Sequence, residues 1–182
     1  FLIQAGVRQG CPLSPALFVC VLEPFLCQLR LDKTIQGLFI PRGHGEHAKI
    51  VAYMDDVTIL CANPASVQRA LFQASLFQTM SGLCLNVDKC VCLTIGPWNH
   101  LAHIPVTTTT SPTKILGVWF AEEHHEAKNW DEVYSKIQKK IDLWKLRKLT
   151  FEGKVLVIKA VLLPILLYLA MVYPPKPHVL QK

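Results

Sequence analysis

The sequence lacks several signatures that would assign it to a class at once. It contains no C-x-x-C pair, no G-x-x-x-x-G-K-[ST] stretch and no G-x-G-x-x-G stretch. The sequence therefore shows neither the usual spacing of a zinc site nor the common phosphate-binding loops. Charged residues are few, at 18%. The first ten residues carry neither a basic segment nor a small-residue cleavage site, so no secretory signal is visible.

The cysteines do not form the pattern of a disulfide framework. There are 7 of them, an odd number, and they are scattered through apolar runs, whereas small secreted proteins use denser, even-numbered sets. The histidine pairs lie far along the chain from Cys90 and Cys92, without a zinc spacing. We therefore expect an intracellular protein, nuclear or cytoplasmic, rather than a secreted one.

The chain is long and apolar enough to fold, and its charge is unevenly placed. With 182 residues and 51% hydrophobic content, it is not intrinsically disordered. Residues 1–127 contain 8 basic and 9 acidic side chains, whereas residues 128–182 contain 11 basic and 4 acidic ones. An excess of positive charge in one segment predicts a polyanionic partner, with nucleic acid as the first candidate.

One apolar run raises the alternative of a membrane protein. Residues 155–173 are about as long as the roughly 20 residues that a bilayer requires. Lys159 and Pro164 interrupt this run and favour a buried helix, so we expect no membrane partner. Partition of the purified chain into liposomes would distinguish the two interpretations.

Hydrophobic periodicity and turn residues predict an α+β fold. The first helix is expected to begin with Ser14 as its cap and to be buried nearly all round, and the second to be capped by Ser66 and ended by Gly82. Predicted helices cover 14–31, 66–80, 130–149 and 151–173, the last with a kink at Pro164; predicted strands cover 37–41, 49–54, 57–61, 90–95 and 114–120; and 107–112 is predicted as a polar link.

Asp55 and Asp56 are the sharpest candidates for chemistry. They separate the β-rich runs 49–54 and 57–61 as the two residues of a tight hairpin turn. Two like charges at an apolar tip indicate a cation, and carboxylate oxygens are ligands that Mg²⁺ prefers, although turn propensity alone also explains the pair. Because adjacent strand side chains face opposite sides, the pair is half of a site and needs another carboxylate.

A second candidate lies immediately before the first helix. Residues 6–15 read GVRQGCPLSP, with glycines on both sides of Arg8 and Gln9. Glycine allows close backbone approach, arginine pairs with phosphate, and glutamine can donate to and accept from a nucleotide. Taken alone, the segment also fits an ordinary strand-to-helix loop.

In this order, these segments resemble the reverse transcriptase of non-long-terminal-repeat (LINE-type) retrotransposons. Residues 6–15 are similar to that family's G-x-x-Q-G-x-x-x-S-P block. Residues 53–56, YMDD, are similar to its catalytic Y-x-D-D block, with Met54 at a position that is most often alanine.

The resemblance continues to the end of the chain. Residues 81–89 resemble the family's S-G-L-x-x-N-x-x-K stretch, and residues 115–118, ILGV, resemble its Y-L-G-I primer-grip block, with Ile115 in place of tyrosine. Residues 143–159 resemble its thumb pattern W-x-x-L-x-L-x-x-G-R-x-x-x-x-K. Five blocks in the same order make coincidence improbable.

The resemblance implies a partial right-hand polymerase. Residues 1–122 would form part of the palm and fingers, with an antiparallel sheet, the catalytic hairpin and packed helices, and residues 123–182 would form a basic helical thumb. It further implies transfer of nucleotides at a site with two Mg²⁺ ions. The implied partners are an RNA template, a DNA primer and product, and deoxynucleoside triphosphates.

The resemblance also implies a role for each matching residue. Asp55 would be a metal ligand and Asp56 a supporting one, and Lys89 would neutralise or protonate the departing pyrophosphate. The contacts to nucleotide, template and primer fall on the remaining positions: Arg8, Gln9, Gly10 and Tyr53 for nucleotide or template, and Leu116 and Gly117 for the primer.

One part of the family's site is missing. The family places another metal-binding aspartate upstream of the G-x-x-Q-G block, where this chain begins, so we expect the chain not to polymerise alone and to need the remainder of a parent polyprotein. A non-catalytic nucleic-acid-binding remnant of a decayed element is the main alternative. Group II intron maturases fit residues 81–89 and the thumb pattern less well, and viral RNA-directed RNA polymerases usually carry GDD.

Overall fold

The computed structural model describes residues 10–41, 45–97, 104–122 and 126–175 of the chain. Within these ranges it contains five α-helical segments and eight short strands. The helices are α1 (Ser14–Leu31), α2 (Pro64–Ser81), α3 (Glu126–Lys145), α4 (Phe151–Val157) and α5 (Leu163–Val172). The strands are β1 (Leu38–Phe39), β2 (His47–Ala48), β3 (Ile50–Tyr53), β4 (Asp56–Ile59), β5 (Val91–Leu93), β6 (Thr107–Thr109), β7 (Thr113–Ile115) and β8 (Val118–Phe120).

The strands pair two by two in the order of the sequence, β1 with β2, β3 with β4, β5 with β6 and β7 with β8. Helices and small sheets thus coexist, as the predicted α+β class requires. The chain divides into two compact units, one of Phe1–Cys92 and Pro97–Thr109, the other of Leu93–Gly96 and Thr110–Lys182. The two units are defined by the contacts within each of them, so the division does not test the predicted boundary between palm and thumb.

The core of the first unit lies between α1, α2 and the β3–β4 hairpin. Its buried residues are Leu22, Phe25, Leu26, Leu29, Ile35 and Ala70. The four from α1 recur at spacings of three and four, which places them on one face of the helix. The rings of Phe25 and Phe77 stack across α1 and α2, with centroids 5.0 Å apart. The prediction that α1 is buried nearly all round is wrong, since Leu17, Val21 and Leu31 are exposed on this chain.

The helix ends show which polar residues act as caps. Leu13 is the N-cap of α1, and Ser14 is already its first residue, so the predicted serine cap is displaced by one position. Asn63 caps α2 by accepting a hydrogen bond from the backbone N–H of Ser66 at 2.8 Å. The predicted Ser66 cap is therefore wrong. Gly82 ends α2 in the left-handed region, as predicted, with φ of 72°.

The second unit packs α3 and α5 against the β7–β8 hairpin. Its buried core residues are Val118, Trp130 and Leu169. The predicted helix over 151–173 is present as α4 and α5, joined by a π-helical turn over Ile158–Leu162. The irregularity precedes Pro164, because proline cannot donate the hydrogen bond that would continue a regular α-helix.

Two predicted segments differ in type. Residues 114–120 were expected to form one strand but fold as the antiparallel hairpin β7–β8. Residues 107–112 were expected to be a polar link, yet Thr107–Thr109 forms β6. Threonine is β-branched and fits a strand despite its polarity.

Two described helical segments, Ser14–Leu31 and Phe151–Val172, are long and apolar enough to cross a membrane by length and composition alone. Core helices of globular proteins pass the same test, and α1 packs its buried face against α2. Membrane association stays an alternative that liposome partition tests.

Candidate functional site

The hairpin that carries the two aspartates is built from β3 and β4. The register pairs Ile50 with Ile59 at its base and Tyr53 with Asp56 next to the turn. The turn therefore consists of Met54 and Asp55, one residue earlier than predicted. Met54 has φ of 54°, a left-handed conformation that is uncommon for a side chain without a local hydrogen-bonding group.

The base of this hairpin is anchored and its tip is exposed. Ile50, Val57 and Ile59 pack against the buried core of the first unit. At the tip, Tyr53 is 67% exposed and both carboxylates are exposed. Because neighbouring strand residues alternate in direction, Asp56 faces away from the side on which Val57 packs. The core thus holds the strands and leaves the carboxylates open to a ligand.

Lys49 connects the base of the hairpin to the end of α1. Its ammonium group donates hydrogen bonds to the carbonyl oxygens of Arg30, at 3.0 Å, and Asp32, at 2.7 Å. These carbonyls lie at the C-terminal end of α1, where the helix leaves acceptors unpaired and favours a cation. The backbone carbonyl of Lys49 also accepts from Leu60 N–H at 2.7 Å. Sequence reasoning missed this residue.

Asp32 ties the same end of α1 to α2. Its carboxylate, 8% exposed, accepts from Arg69 Nε at 2.7 Å and from Gln73 Nε2 at 2.8 Å. It also accepts from the backbone N–H and the hydroxyl group of Thr34. The Thr34 hydroxyl, followed by Arg69, lowers the pKa of Asp32 from its ordinary value. The hydrogen bonds of Lys49 and Asp32 therefore connect the base of the β3–β4 hairpin, the end of α1 and α2.

Lys89 ends a 3₁₀ turn over Val87–Lys89. Asn86 caps this turn, since its side chain accepts from the backbone N–H of Lys89 at 3.3 Å. The cap accounts for Asn86, whereas the lysine side chain at position 89 takes no part in it. The Lys89 side chain is exposed and forms no ion pair with any residue that the structure describes.

The segment before α1 is described only in part. Gly10 adopts φ of 85° in a turn, and a Cβ added there would meet no described atom within 4 Å. Arg8 and Gln9 lie outside the described residues, so their predicted contact with nucleotide or template is not tested.

Leu116 and Gly117 form the turn between β7 and β8. Ile115 pairs with Val118, leaving these two residues as a two-residue loop. Their φ values are 46° and 86°. Positive φ at both central positions is the pattern of a type I′ turn, whose twist suits a hairpin.

The sequence of residues 1–120 matches the protein family described as reverse transcriptase (RNA-dependent DNA polymerase). The chain belongs to the reverse transcriptase family. The predicted resemblance is thereby confirmed, including the LINE-type group, because the curated relatives are proteins of such elements.

Three of these relatives show the extent of the similarity. The Transposon TX1 uncharacterized 149 kDa protein of Xenopus laevis is 31% identical over 160 residues, 84% of this chain and 12% of that protein. The Pol polyprotein of the type-1 retrotransposable element R2 of Popillia japonica is 29% identical over 65% of this chain and 18% of its own length. That of element R2DM of Drosophila melanogaster is 31% identical over 53% and 8%. The chain thus spans a small part of each relative.

Reverse transcriptases generally use divalent metal ions, and the hairpin tip offers suitable ligands. Asp55 and Asp56 present exposed carboxylate oxygens, the donors that Mg²⁺ prefers, and no described cation pairs with either. Within the described ranges, no three His, Cys, Asp or Glu side chains form a metal-binding group. The two carboxylates fit ligands of a divalent metal ion, and the described residues place no third acidic, cysteine or histidine side chain beside them.

A second polar cluster lies at the β7–β8 hairpin of this reverse transcriptase chain. The carboxylate of Glu132 accepts hydrogen bonds from Lys114 Nζ at 2.7 Å, from Lys136 Nζ at 2.8 Å and from Trp119 Nε1 at 2.7 Å. The ammonium of Lys128 lies 3.9 Å from the centroid of the Trp119 ring, a cation–π contact. Hydrogen bonding to Lys114, followed by Lys136, lowers the pKa of Glu132 from 4.5 to about 2.

The lowered pKa of Glu132 predicts how the stability of the folded chain changes with pH. A carboxyl group whose pKa is lower in the folded chain stabilises it fully above about pH 4.5, and that contribution is lost as the pH falls toward about 2. We therefore expect Glu132→Gln to lower the urea midpoint at pH 6 and to lower it progressively less as the pH falls. Glu152→Gln, at the start of α4, is the control. A difference between Glu132→Gln and the unsubstituted chain that grows on acidification would contradict the prediction.

Proposed function

We propose that the chain is the palm-to-thumb part of an RNA-directed DNA polymerase from a non-long-terminal-repeat retrotransposon. One observation carries the proposal: a chain of the reverse transcriptase family presents Asp55 and Asp56 at the exposed tip of a hairpin whose base is fixed in the core. In this proposal residues 1–122 form part of the palm and fingers, with the hairpin in the palm and α1 at the junction between them, and α3 to α5 belong to the thumb over residues 123–182.

The proposed reaction joins a primer to an incoming deoxynucleoside triphosphate on an RNA template. Two Mg²⁺ ions, when bound, would activate the primer 3′-hydroxyl and stabilise the leaving pyrophosphate. Asp55 holds metal from the turn, and Asp56 supports it from the first position of β4. Lys89 offers a positive charge to the pyrophosphate, and the Leu116–Gly117 turn contacts the primer.

Further contacts come from the segment before α1. A Cβ at Gly10 would meet no described atom within 4 Å, which suits close approach of a nucleotide, and Arg8 and Gln9 contribute a phosphate donor and a base or ribose partner. Tyr53 exposes its ring beside the carboxylates. The remainder of a parent polyprotein supplies the additional aspartate, and the protein acts inside the cell.

Primer extension tests this proposal. A polypeptide that joins this chain to the upstream strand of the same reading frame should synthesise DNA on an RNA template with Mg²⁺ and deoxynucleoside triphosphates. The 182-residue chain alone should give no product. Templated synthesis by the chain alone would contradict the proposed division of the metal site.

A second candidate function, nucleic-acid binding without catalysis, is favoured by the charge of the C-terminal part. Lys139 and Lys140 are exposed on α3 and form no ion pair with described residues, and Arg147 lies 4.8 Å from the ring centroid of Trp144. Such an array of exposed cations suits a phosphate backbone. Binding of this kind is compatible with a polymerase and would survive in a remnant that has lost catalysis.

The salt dependence of binding separates the basic surface from the carboxylates. We expect the logarithm of the association constant for duplex or RNA to fall linearly with the logarithm of salt concentration. The double variant Lys139→Ala, Lys140→Ala should reduce the slope by about 2, since each phosphate contact contributes about 0.9. Asp55→Ala and Lys33→Ala, measured by fluorescence anisotropy, should keep the original slope. An unchanged slope in the double lysine variant would place binding elsewhere.

A further inference from the structure

The β7–β8 hairpin leaves two residues, Lys114 and Trp119, with backbone groups that have no partner inside the hairpin, and α3 supplies partners for those of Trp119. In a hairpin with a two-residue turn, the pair next to the turn exchanges both backbone hydrogen bonds and the following pair exchanges none. Lys114 and Trp119 form that following pair. The backbone N–H and C=O of Trp119 therefore point away from the hairpin and require other partners.

Asn129 of α3 pairs with both of these groups. The Trp119 N–H donates to Asn129 Oδ1 at 2.9 Å, and Asn129 Nδ2 donates to the Trp119 carbonyl oxygen at 2.9 Å. Asn129 itself is buried. A single carboxamide thus takes the place that a third strand would have beside β8.

Two further side chains hold the same hairpin from the helices. The hydroxyl group of Tyr168, on α5, donates to the carbonyl oxygen of Leu116 in the turn. The indole Nε1 of Trp119 donates to Glu132 Oε2 at 2.7 Å. Val118 packs beneath these contacts in the buried cluster with Trp130 and Leu169. Side chains of α3 and α5 therefore form hydrogen bonds with the turn, with the backbone of β8 and with the indole of Trp119.

We propose that Asn129, Glu132 and Tyr168 are positioning residues that fix the Leu116–Gly117 turn to α3 and α5. The inference rests on the proposed function, in which that turn contacts the primer. The place of the turn is then set in part by α3, the helix that also carries the exposed Lys139 and Lys140. The primer end and the duplex backbone then contact the same compact unit, and discrimination of a primer terminus depends on these three hydrogen-bonding side chains.

Amide hydrogen exchange tests the attachment without any nucleic acid. Tyr168→Phe removes only the hydroxyl donor, and Asn129→Asp keeps an acceptor for Trp119 N–H but loses the donor to the Trp119 carbonyl. We expect exchange of the amides at 117–119 to become about tenfold faster in each variant, the effect of losing one local hydrogen bond. Amides in the middle of α3 serve as the internal reference. Tyr134→Phe, exposed on α3, is the matched control.

Selectivity for a primer end tests the positioning role. The ratio of affinities for a duplex with a recessed 3′ end and for a blunt duplex, measured by anisotropy, should fall about fivefold in Tyr168→Phe. It should not change in Tyr134→Phe. A purely structural role would lower both affinities together and leave the ratio unchanged.

The two measurements fail in distinguishable ways. Unchanged exchange at 117–119 in both variants would overturn the attachment itself. If exchange is faster in the variants but the unsubstituted chain shows no preference for the recessed end, the primer contact on which the inference rests would be overturned. A preserved ratio in Tyr168→Phe, despite faster exchange, would overturn the positioning role.

Discussion

Asp55→Asn abolishes templated DNA synthesis in a longer polymerase polypeptide that contains this chain, if the carboxylate holds metal as proposed. Asparagine keeps the size and turn propensity of aspartate but removes the charge that binds Mg²⁺. Because a catalytic metal stabilises the transition state by several kcal/mol, we expect a loss of at least about 10³-fold in the rate of primer extension. Asp56→Asn should cause a smaller loss.

The control for this prediction is Asp88→Asn. Asp88 is an exposed aspartate in the 3₁₀ turn before β5, and its substitution changes the net charge by the same amount. It should keep the original rate. The Asp55 carboxylate is exposed, so the thermal melting of the variant should match that of the unsubstituted protein. Retention of more than about a tenth of the activity in Asp55→Asn would contradict a metal-ligand role.

Leu29→Ala gives the largest expected effect on stability. The Leu29 side chain is 0% exposed and lies in the cluster between α1, α2 and the base of the β3–β4 hairpin. Removing its methyl groups leaves a cavity, which costs about 2 to 5 kcal/mol of unfolding free energy. Urea denaturation measures the loss.

Leu31→Ala on the same helix is the matched control. Leu31 is 79% exposed, so the same chemical change there should alter stability by no more than about 0.5 kcal/mol. Both substitutions replace leucine by alanine in α1, so the difference between them reports burial. Equal losses in the two variants would mean that the α1 face carrying Leu29 is not the core of this unit.

Features with strong local signals could be predicted from the sequence. Gly82 ends α2 because glycine adopts positive φ without steric cost. The Ser14-Pro15 start and the apolar residues after it predict the first helix, and the two β-rich runs on either side of Asp55 and Asp56 predict a hairpin. The resemblance to LINE-type reverse transcriptases is confirmed by the family match. The roles given to individual site residues stay predictions.

Features with weak local signals were misplaced. Neither turn contains the Asn-Gly or Asp-Gly pair that marks a tight hairpin most clearly. Met54 takes the left-handed position in one turn, and Leu116 takes it in the other. The first turn was therefore placed one residue late, and the second was predicted as continuous strand.

Long-range contacts could not be predicted from local patterns. Tyr168 and Leu116 are 52 residues apart, and Asn129 and Trp119 are 10 apart. In the sequence, Asn129 is one polar residue at the start of an amphipathic helix, and nothing local distinguishes it from a solvent-facing one. Its partners become evident only when the backbone of β8 lies beside α3. Lys49 is a similar case, because its partners are carbonyl groups at the end of α1.

Binding of Mn²⁺ by the chain itself tests most directly whether Asp55 and Asp56 form part of a polymerase metal site. Paramagnetic Mn²⁺, in place of Mg²⁺, broadens the NMR signals of nearby amides. We predict broadening centred on residues 53–57 that is lost in the double variant Asp55→Asn, Asp56→Asn and kept in Asp88→Asn. Absence of broadening at this tip, or equal broadening in the double variant, would contradict the assignment of the hairpin as half of a two-metal site.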